Sequence, residues 1–224
     1  FHANNVGDDI YVYDENYNHI ETFYFLRQQM KKKDDTPNRS LADFIAPKSS
    51  DIKDFIGAFS VTSGKEVEIL AKKYRDDNDD YSCILIQAIG DRLAEAYAEF
   101  LHEVTRKEWG YAENENLSIA DMIKENYQGI RPAAGYPACP DHTEKQTLFR
   151  LLETKKYTNI RLTDSFAMTP ASSVSGLYFS HPESRYFPLG RIDKEQSADY
   201  AKRKGWSQKK VEKWLSPNLG YEPS

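Results

Sequence analysis

Residues 127–145 read YQGIRPAAGYPACPDHTEK. Three prolines, Pro132, Pro137 and Pro140, push Arg131, Tyr136 and Cys139 toward extended backbone. Gly135 permits a turn that other residues resist. The segment is therefore a stiff loop, ordered before any ligand arrives. Asp141 and Glu144 follow with capping-box spacing, which predicts a helix of roughly three turns ending near Glu153. Free backbone N–H groups at that helix start lie beside the loop. A guanidinium, a phenol ring and exposed backbone on a rigid frame suit a zwitterionic amino-acid moiety. Arg131 can grip a carboxylate through two parallel hydrogen bonds, and a tyrosine face can sit near a cation. A plain Pro-rich connection with Arg131 in a surface ion pair uses the same residues, and short motifs discriminate weakly.

On the C-terminal side, residues 173–180 read as a strand through Val174, Leu177 and Phe179, and 185–189 as another or its return. Two short helices close the chain, about Lys194–Lys204 and Gln208–Leu215; Gly205 stops the first and Pro217 follows the second. On the N-terminal side, Ser118 and Asp121 make a capping box for a short helix toward Asn126. The strongest helix runs from about Asp79 to Glu108. Its Ile86, Ile89, Leu93, Tyr97, Phe100 and Val104 recur at steps of three and four, one continuous apolar stripe. A further helix follows Gly64 to about Tyr74, and Phe55 to Val61 reads as a buried strand with Gly57 at a close backbone approach. Asp9–Tyr13 and His19–Phe25 read as a hairpin turning at Asp14-Glu15-Asn16, and 31–39 as a polar loop. Strands and helices do not alternate regularly, so the pattern favours an α+β fold with an antiparallel sheet over a doubly wound parallel one.

The 224 residues suit one domain, or one with a satellite lobe. The mean hydropathy of −0.74 is low, but 11 Phe, 15 Tyr and 3 Trp supply large buried area. A net charge of −5 disfavours loose attachment to nucleic acid or anionic membranes. No run approaches the roughly 18 apolar residues of a membrane span. Phe1-His2-Ala3-Asn4-Asn5 has no signal-peptide pattern and reads more like the start of an excised piece. With only Cys83 and Cys139, a reducing cytoplasm is the expected compartment.

Other constellations carry less. Asp91, Glu95 and Glu99 share one helix face, which a solvated surface beside Arg92 and Lys107 accommodates. Cys139 and His142 have C-x₂-H spacing without a second pair, so no closed zinc site is expected. His142, just after the loop, is a candidate ligand contact; His102 and His181 are read as structural. The last segment is basic (Arg191, Lys194, Lys202, Arg203, Lys204, Lys209, Lys210, Lys213) and reads as a solvated face. There is no G-x-G-x-x-G after a strand, no phosphate loop and no nucleophile elbow.

The loop also carries a resemblance. Arg-x-x-x-Gly-Tyr, here Arg131, Gly135 and Tyr136, is the signature of the S-adenosylmethionine-binding activation domain of cobalamin-dependent methionine synthase. Similar blocks run in family order along nearly the whole chain: VGDDI (6–10), LRQQ (26–29), LADFIAPK (41–48), DRLAEAYAEFLHE (91–103), GYAENENLS (110–118), ENYQGIRPA (125–133), SVSGLYFSHPESRYF (173–187) and WLSPNLGYEP (214–223). The resemblance implies a C-shaped fold around a bent antiparallel sheet flanked by helices. It implies that 1–224 is one activation domain lacking an upstream stretch, in which the family carries an acidic ligand contact. It implies S-adenosylmethionine as ligand, held so that the oxidised cob(II)alamin of an adjacent module can be remethylated with an electron from a flavodoxin or equivalent reductase. A docking surface for an acidic flavodoxin then becomes an expectation for the basic C-terminal segment. Arg131 should take the methionyl carboxylate, and Tyr136 should line the site with Gly135 and Ala133 backbone. Tyr186 and Phe187 match the second contact segment, although many relatives have Tyr where Phe187 stands. Glu95 and Glu125 become candidates for an ammonium, a ribose or the cobalamin module. The competing reading is a stand-alone S-adenosylmethionine-binding regulatory protein that shares the fold; a self-sufficient methyltransferase is the third.

Overall fold

The computed structural model describes residues 1–32 and 36–223. Of the loop expected at 31–39, residues 33–35 lie outside the described ones. In chain order the strands are β1 (His2–Val6), β2 (Asp9–Tyr13), β3 (His19–Tyr24), β4 (Asp54–Phe55), β5 (Gly57–Thr62), β6 (Arg161–Leu162), β7 (Met168–Thr169) and β8 (Ser173–Tyr178). The α-helices are α1 (Glu66–Asp76), α2 (Asp80–Glu108), α3 (Ile119–Ile123), α4 (Lys145–Leu151), α5 (Thr154–Thr158), α6 (Lys194–Lys204) and α7 (Gln208–Trp214). Contacts divide the chain into two compact units: 1–57 with 129–147 and 177–224, and 58–128 with 148–176.

The first unit is built on a four-stranded sheet of order β3-β2-β1-β4, every pair antiparallel. Gly7, at φ +67, opens the two-residue turn between β1 and β2, a backbone that costs glycine nothing. The predicted β2–β3 hairpin is present, with its turn organised by Asp14, whose Oδ1 accepts from the N–H groups of Asn16 and Asn18, both at 2.8 Å. Strand β1 escaped the sequence reading because HANNV has little strand propensity. Its asparagines are held by the segment they bracket: Asn4 Nδ2 donates to Ala46 O and Ile52 O, and Asn5 Nδ2 to Ala42 O and Ile45 O, all within 3.1 Å. The strand predicted over 55–61 is in fact two. Ile56 gives its N–H to Phe1 O at 2.9 Å, so β4 stays with β1 while β5 pairs with β8 in a separate sheet.

Helices α6 and α7 begin at Asp193 and Ser207, whose side chains accept from the N–H groups of Gln196 and Lys210, and Gly205 (φ +65) ends α6. They close over a core of Leu26, Leu189, Ile192, Tyr200, Ala201, Val211, Leu215 and Leu219. The predicted strand at 185–189 does not form. The backbone there serves the loop instead, with Leu189 N donating to Pro137 O at 2.8 Å. The C-terminal segment also departs from a solvated basic face. Arg203 is ion-paired to the buried Asp9 and to Asp199, and the Lys204 side chain is only 5% exposed.

In the second unit α2 keeps its predicted span, but its packed face is different. The buried seam is Cys83, Gly90, Ala94, Ala98, His102 and Arg106, while Ile89, Leu93, Tyr97 and Phe100 of the apolar stripe are exposed. At this seam Gly90 lets α1 come close. A Cβ on Gly90 would lie 2.8 Å from Val67 Cγ1 and 2.9 Å from Ser172 Oγ. At the far end of α2, the fully buried Arg106 guanidinium pairs with Glu115 at 2.7 Å and lies 4.0 Å from the Tyr127 ring centroid. That pairing fastens the 109–127 segment, including the capped α3, to the helix. No helix among the described residues is long and apolar enough to cross a membrane.

Candidate functional site

The 129–147 stretch lies in the first unit and is tied by backbone hydrogen bonds to the 177–189 run. Ile130 pairs antiparallel with Phe179, its N–H and O both 3.0 Å from their partners, and Leu177 N donates to Pro132 O at 2.9 Å. Inside the loop, Gly135 N donates to Cys139 O at 2.7 Å, Tyr136 N to Ala133 O at 3.2 Å and Cys139 N to Tyr136 O at 2.9 Å. The expected rigidity thus has a hydrogen-bonded turn behind it as well as the prolines. Gly135 sits at φ +98, where an L side chain is strained.

The two predicted contact segments meet. Tyr186 Oη accepts the Arg131 backbone N–H at 3.0 Å, joining positions 55 residues apart. Tyr186 is 42% exposed and Tyr136 66%, and Arg131 is half-buried. Phe187 departs from the expectation of a lining residue. Its side chain is turned into the core, 6.4 Å centroid to centroid from Phe44, where a hydroxyl would be buried at a cost.

His142 adjoins the loop through Gly135. A Cβ built on Gly135 would fall 2.2 Å from His142 Cε1 and 2.5 Å from Nδ1, so the imidazole fills the space an alanine would need. Lys145 Nζ lies 2.9 Å from His142 Nδ1. An ammonium can only donate, which leaves the ring proton on Nε2. Burial, then the Lys145 charge, pulls the His142 pKa below its usual value, in keeping with a neutral ring.

The turn after the loop differs from a plain helix start. Asp141 does cap it, accepting from Thr143 N at 2.8 Å. Residues 142–144 form a 3-10 turn before α4, and α4 ends at Leu151, short of the predicted three turns. Glu144 does not reach back to complete a capping box; one of its oxygens accepts the Tyr24 N–H at 2.9 Å and the other takes Lys204 Nζ at 2.6 Å. Sequence reasoning missed Lys204 as part of this region. Its partners lie 60 to 63 residues away, and nothing local distinguishes it from its neighbouring lysines. Cys139 is buried at the loop's end, and burial pushes its thiol pKa well up, which makes it inert rather than nucleophilic.

Glu95 and Glu125 lie in the second unit. Glu95 is exposed on α2 and ion-paired to Arg92 at 2.5 Å. Glu125 is exposed just after α3 with φ +54. Asp91 is not simply solvated, since it accepts a 2.7 Å bond from Ser172 Oγ. Among the described residues no three His, Cys, Asp or Glu side chains gather as a metal site.

Arg131, Tyr136 and His142 on one hydrogen-bonded loop, with Tyr186 tied to it, form the candidate ligand site of an α+β fold. The chain belongs to the family described as the vitamin B12-dependent methionine synthase activation domain, whose model matches residues 1–205. A crystal structure of the MetH reactivation domain bound to AdoHcy is similar to it, with TM-score 0.96 and 56% sequence identity over 99% of this chain and 69% of that one.

Proposed function

We propose that this chain binds S-adenosylmethionine on the 131–142 face and presents its methyl group for reductive remethylation of the cobalamin of methionine synthase. The observation that carries the reading is the 3.0 Å bond from Arg131 N to Tyr186 Oη. It brings together the two segments that the resemblance assigns to the ligand, in a chain 56% identical to a domain solved with AdoHcy. AdoHcy is the donor after its methyl group has left, so it stands for the same amino-acid and adenosine ends without the sulfonium charge.

Arg131 would hold the carboxylate, the charge-assisted fork that fits it best. Tyr136 and Tyr186 would turn their electron-rich faces toward the sulfonium and its methyl group, and the loop backbone would meet the remaining polar atoms. Cobalamin, held by its own module, supplies the nucleophile that accepts the methyl group. The leaving group is a neutral thioether, so no general acid is needed, and the residues here contribute orientation and exclusion of competing poses. On this reading residues 1–224 act as one activation domain in a reducing cytoplasm, beside the cobalamin-binding module of the same polypeptide. Glu95 and Glu125 remain assigned by the resemblance alone, to the ligand's ammonium or ribose or to the cobalamin module.

Isothermal titration of the chain with S-adenosylmethionine tests the reading directly. Saturable binding at one site, displaced by S-adenosylhomocysteine, is expected; a flat titration at millimolar ligand would remove it. A flavodoxin or equivalent acidic reductase is the proposed electron donor, on the basis of lysines such as Lys202, Lys209 and Lys213 on the last helices. The rate of reductive activation in the full enzyme should then fall steeply between low and moderate ionic strength, as screened encounters do. A rate indifferent to salt would remove this partner.

A further inference from the structure

We infer that Lys204 is a positioning residue for the ligand loop: the 141–144 turn is wound around its ammonium, and that turn carries the imidazole on which Gly135 rests. Lys204 Nζ donates to Asp141 Oδ2 at 2.7 Å, Thr143 Oγ1 at 2.8 Å and Glu144 Oε1 at 2.6 Å. An ammonium has three protons, and all three are used on one short stretch of chain. The side chains of Asp141 and Glu144 are 3% and 4% exposed, so residues 141, 143 and 144 face inward. His142, between them, faces out and occupies the space under Gly135.

The turn is also tied to its surroundings through the same carboxylates. Tyr200 Oη donates to Asp141 Oδ2 at 2.8 Å, and Tyr24 N to Glu144 Oε2 at 2.9 Å. The Lys204 ammonium is walled by aromatic rings, 4.1 Å from the Trp206 centroid and 5.1 Å from that of Tyr200. Without the cation, two carboxylates would be buried side by side with no counter-charge, so the turn has to open or take up protons. Lys204 touches no predicted ligand contact. It acts through the turn, and the functional reading above supplies only the ligand used in one arm of the test.

Charges around the pair agree with this geometry. Burial raises the Glu144 pKa to about 7 against the opposing pull of Lys204. Burial would also raise Asp141, but the Lys204 charge and hydrogen bonds, with those from Thr143, hold it below its usual value. The groups facing Glu144 are Lys204 and Tyr200 from α6, Tyr24 from β3, and Asp141 and Cys139 from its own segment. Because the folded pKa of Glu144 lies above its unfolded value of 4.5, its stabilising contribution is complete below that pH and is lost as pH rises through about 7. Removing Lys204 raises that pKa further, so the loss extends to higher pH.

The test compares Lys204→Met and Thr143→Val with Val211→Ala, a cavity variant in the α6–α7 core that removes none of the turn's hydrogen-bonding groups. Lys204→Met should lower S-adenosylmethionine affinity at least tenfold, and the milder Thr143→Val, which withdraws one acceptor, about threefold. Val211→Ala should stay within twofold despite a lower melting temperature. In the ligand-free chain, the His142 ring resonances should lose their single Nε2–H signature in Lys204→Met and broaden in Thr143→Val. The falling limb of melting temperature against pH should move upward in Lys204→Met. Equal affinity losses in Thr143→Val and Val211→Ala would overturn the inference, as would unchanged His142 resonances in Thr143→Val, the arm that survives if Lys204→Met does not fold. If the wild-type chain binds no S-adenosylmethionine, the functional reading fails while the His142 resonances still decide the role of Lys204.

Discussion

Arg131→Ala is expected to weaken S-adenosylmethionine binding by about 30- to 150-fold, a loss of about 2–3 kcal/mol. The backbone at 131 is tied into the fold. Its N–H goes to Tyr186 Oη, the preceding Ile130 pairs with Phe179, and the following Pro132 carbonyl accepts from Leu177 N. Alanine keeps all of these. The guanidinium is what the ligand would use, and truncation leaves a carboxylate facing a site that no longer offers paired donors. A half-buried position lets water replace part of the lost interaction, so the estimate sits at the lower end of the range for charged pairs. Arg131→Lys should fall between the two, since an ammonium restores charge without the two-pronged geometry. Titration calorimetry alongside thermal unfolding separates these contributions. An alanine variant that binds within threefold of the wild type would mean that another group takes the carboxylate.

Much of the candidate site's backbone frame was legible because its determinants are local. Proline and glycine positions announce a stiff turn at 131–140, and caps such as Asp193, Ser207 and the Ser118–Asp121 pair mark helix starts where the structure has them. What the sequence hid depends on partners far along the chain. Tyr186 reaches Arg131 across 55 residues, and the resemblance, not periodicity, brought them together. Lys204 is one lysine among several by composition, and its burial follows from acceptors at 141, 143 and 144 that no helical spacing reveals. The α2 stripe misled for a related reason. Periodicity reports which face is apolar, but α1 packs where Gly90 lets Val67 come close, and the buried seam continues through Ala94 and Ala98. Asn4 and Asn5 defeated a propensity reading because their amides bond to backbone carbonyls in the 42–52 segment rather than to solvent.

Gly135→Ala should destabilise the chain by about 2–4 kcal/mol and abolish measurable ligand binding at concentrations that saturate the wild type. Two costs add. The residue sits at φ +98, outside the regions an L side chain adopts comfortably, which costs of order 1–3 kcal/mol. The new methyl would also meet the His142 ring, with Cε1 at 2.2 Å and Nδ1 at 2.5 Å. That ring is at the surface, so it can swing aside, and overpacking enters at the lower end of its usual range of about 1–3 kcal/mol. Swinging aside breaks the 2.9 Å contact with Lys145 and removes the support beneath the turn. If the backbone instead relaxes toward negative φ, the 2.7 Å bond from Gly135 N to Cys139 O is lost, and with it the pose of Tyr136. Either route disorders the face on which the donor would lie. The double variant Gly135→Ala/His142→Ala distinguishes the two costs, since it removes the clash and keeps the backbone strain. Recovery of about 1 kcal/mol in chemical denaturation, without recovery of binding, is the expected outcome. Full recovery would place the whole effect in the ring contact. A Gly135→Ala chain as stable as the wild type, and still able to bind, would show that neither the φ angle nor the imidazole constrains this turn.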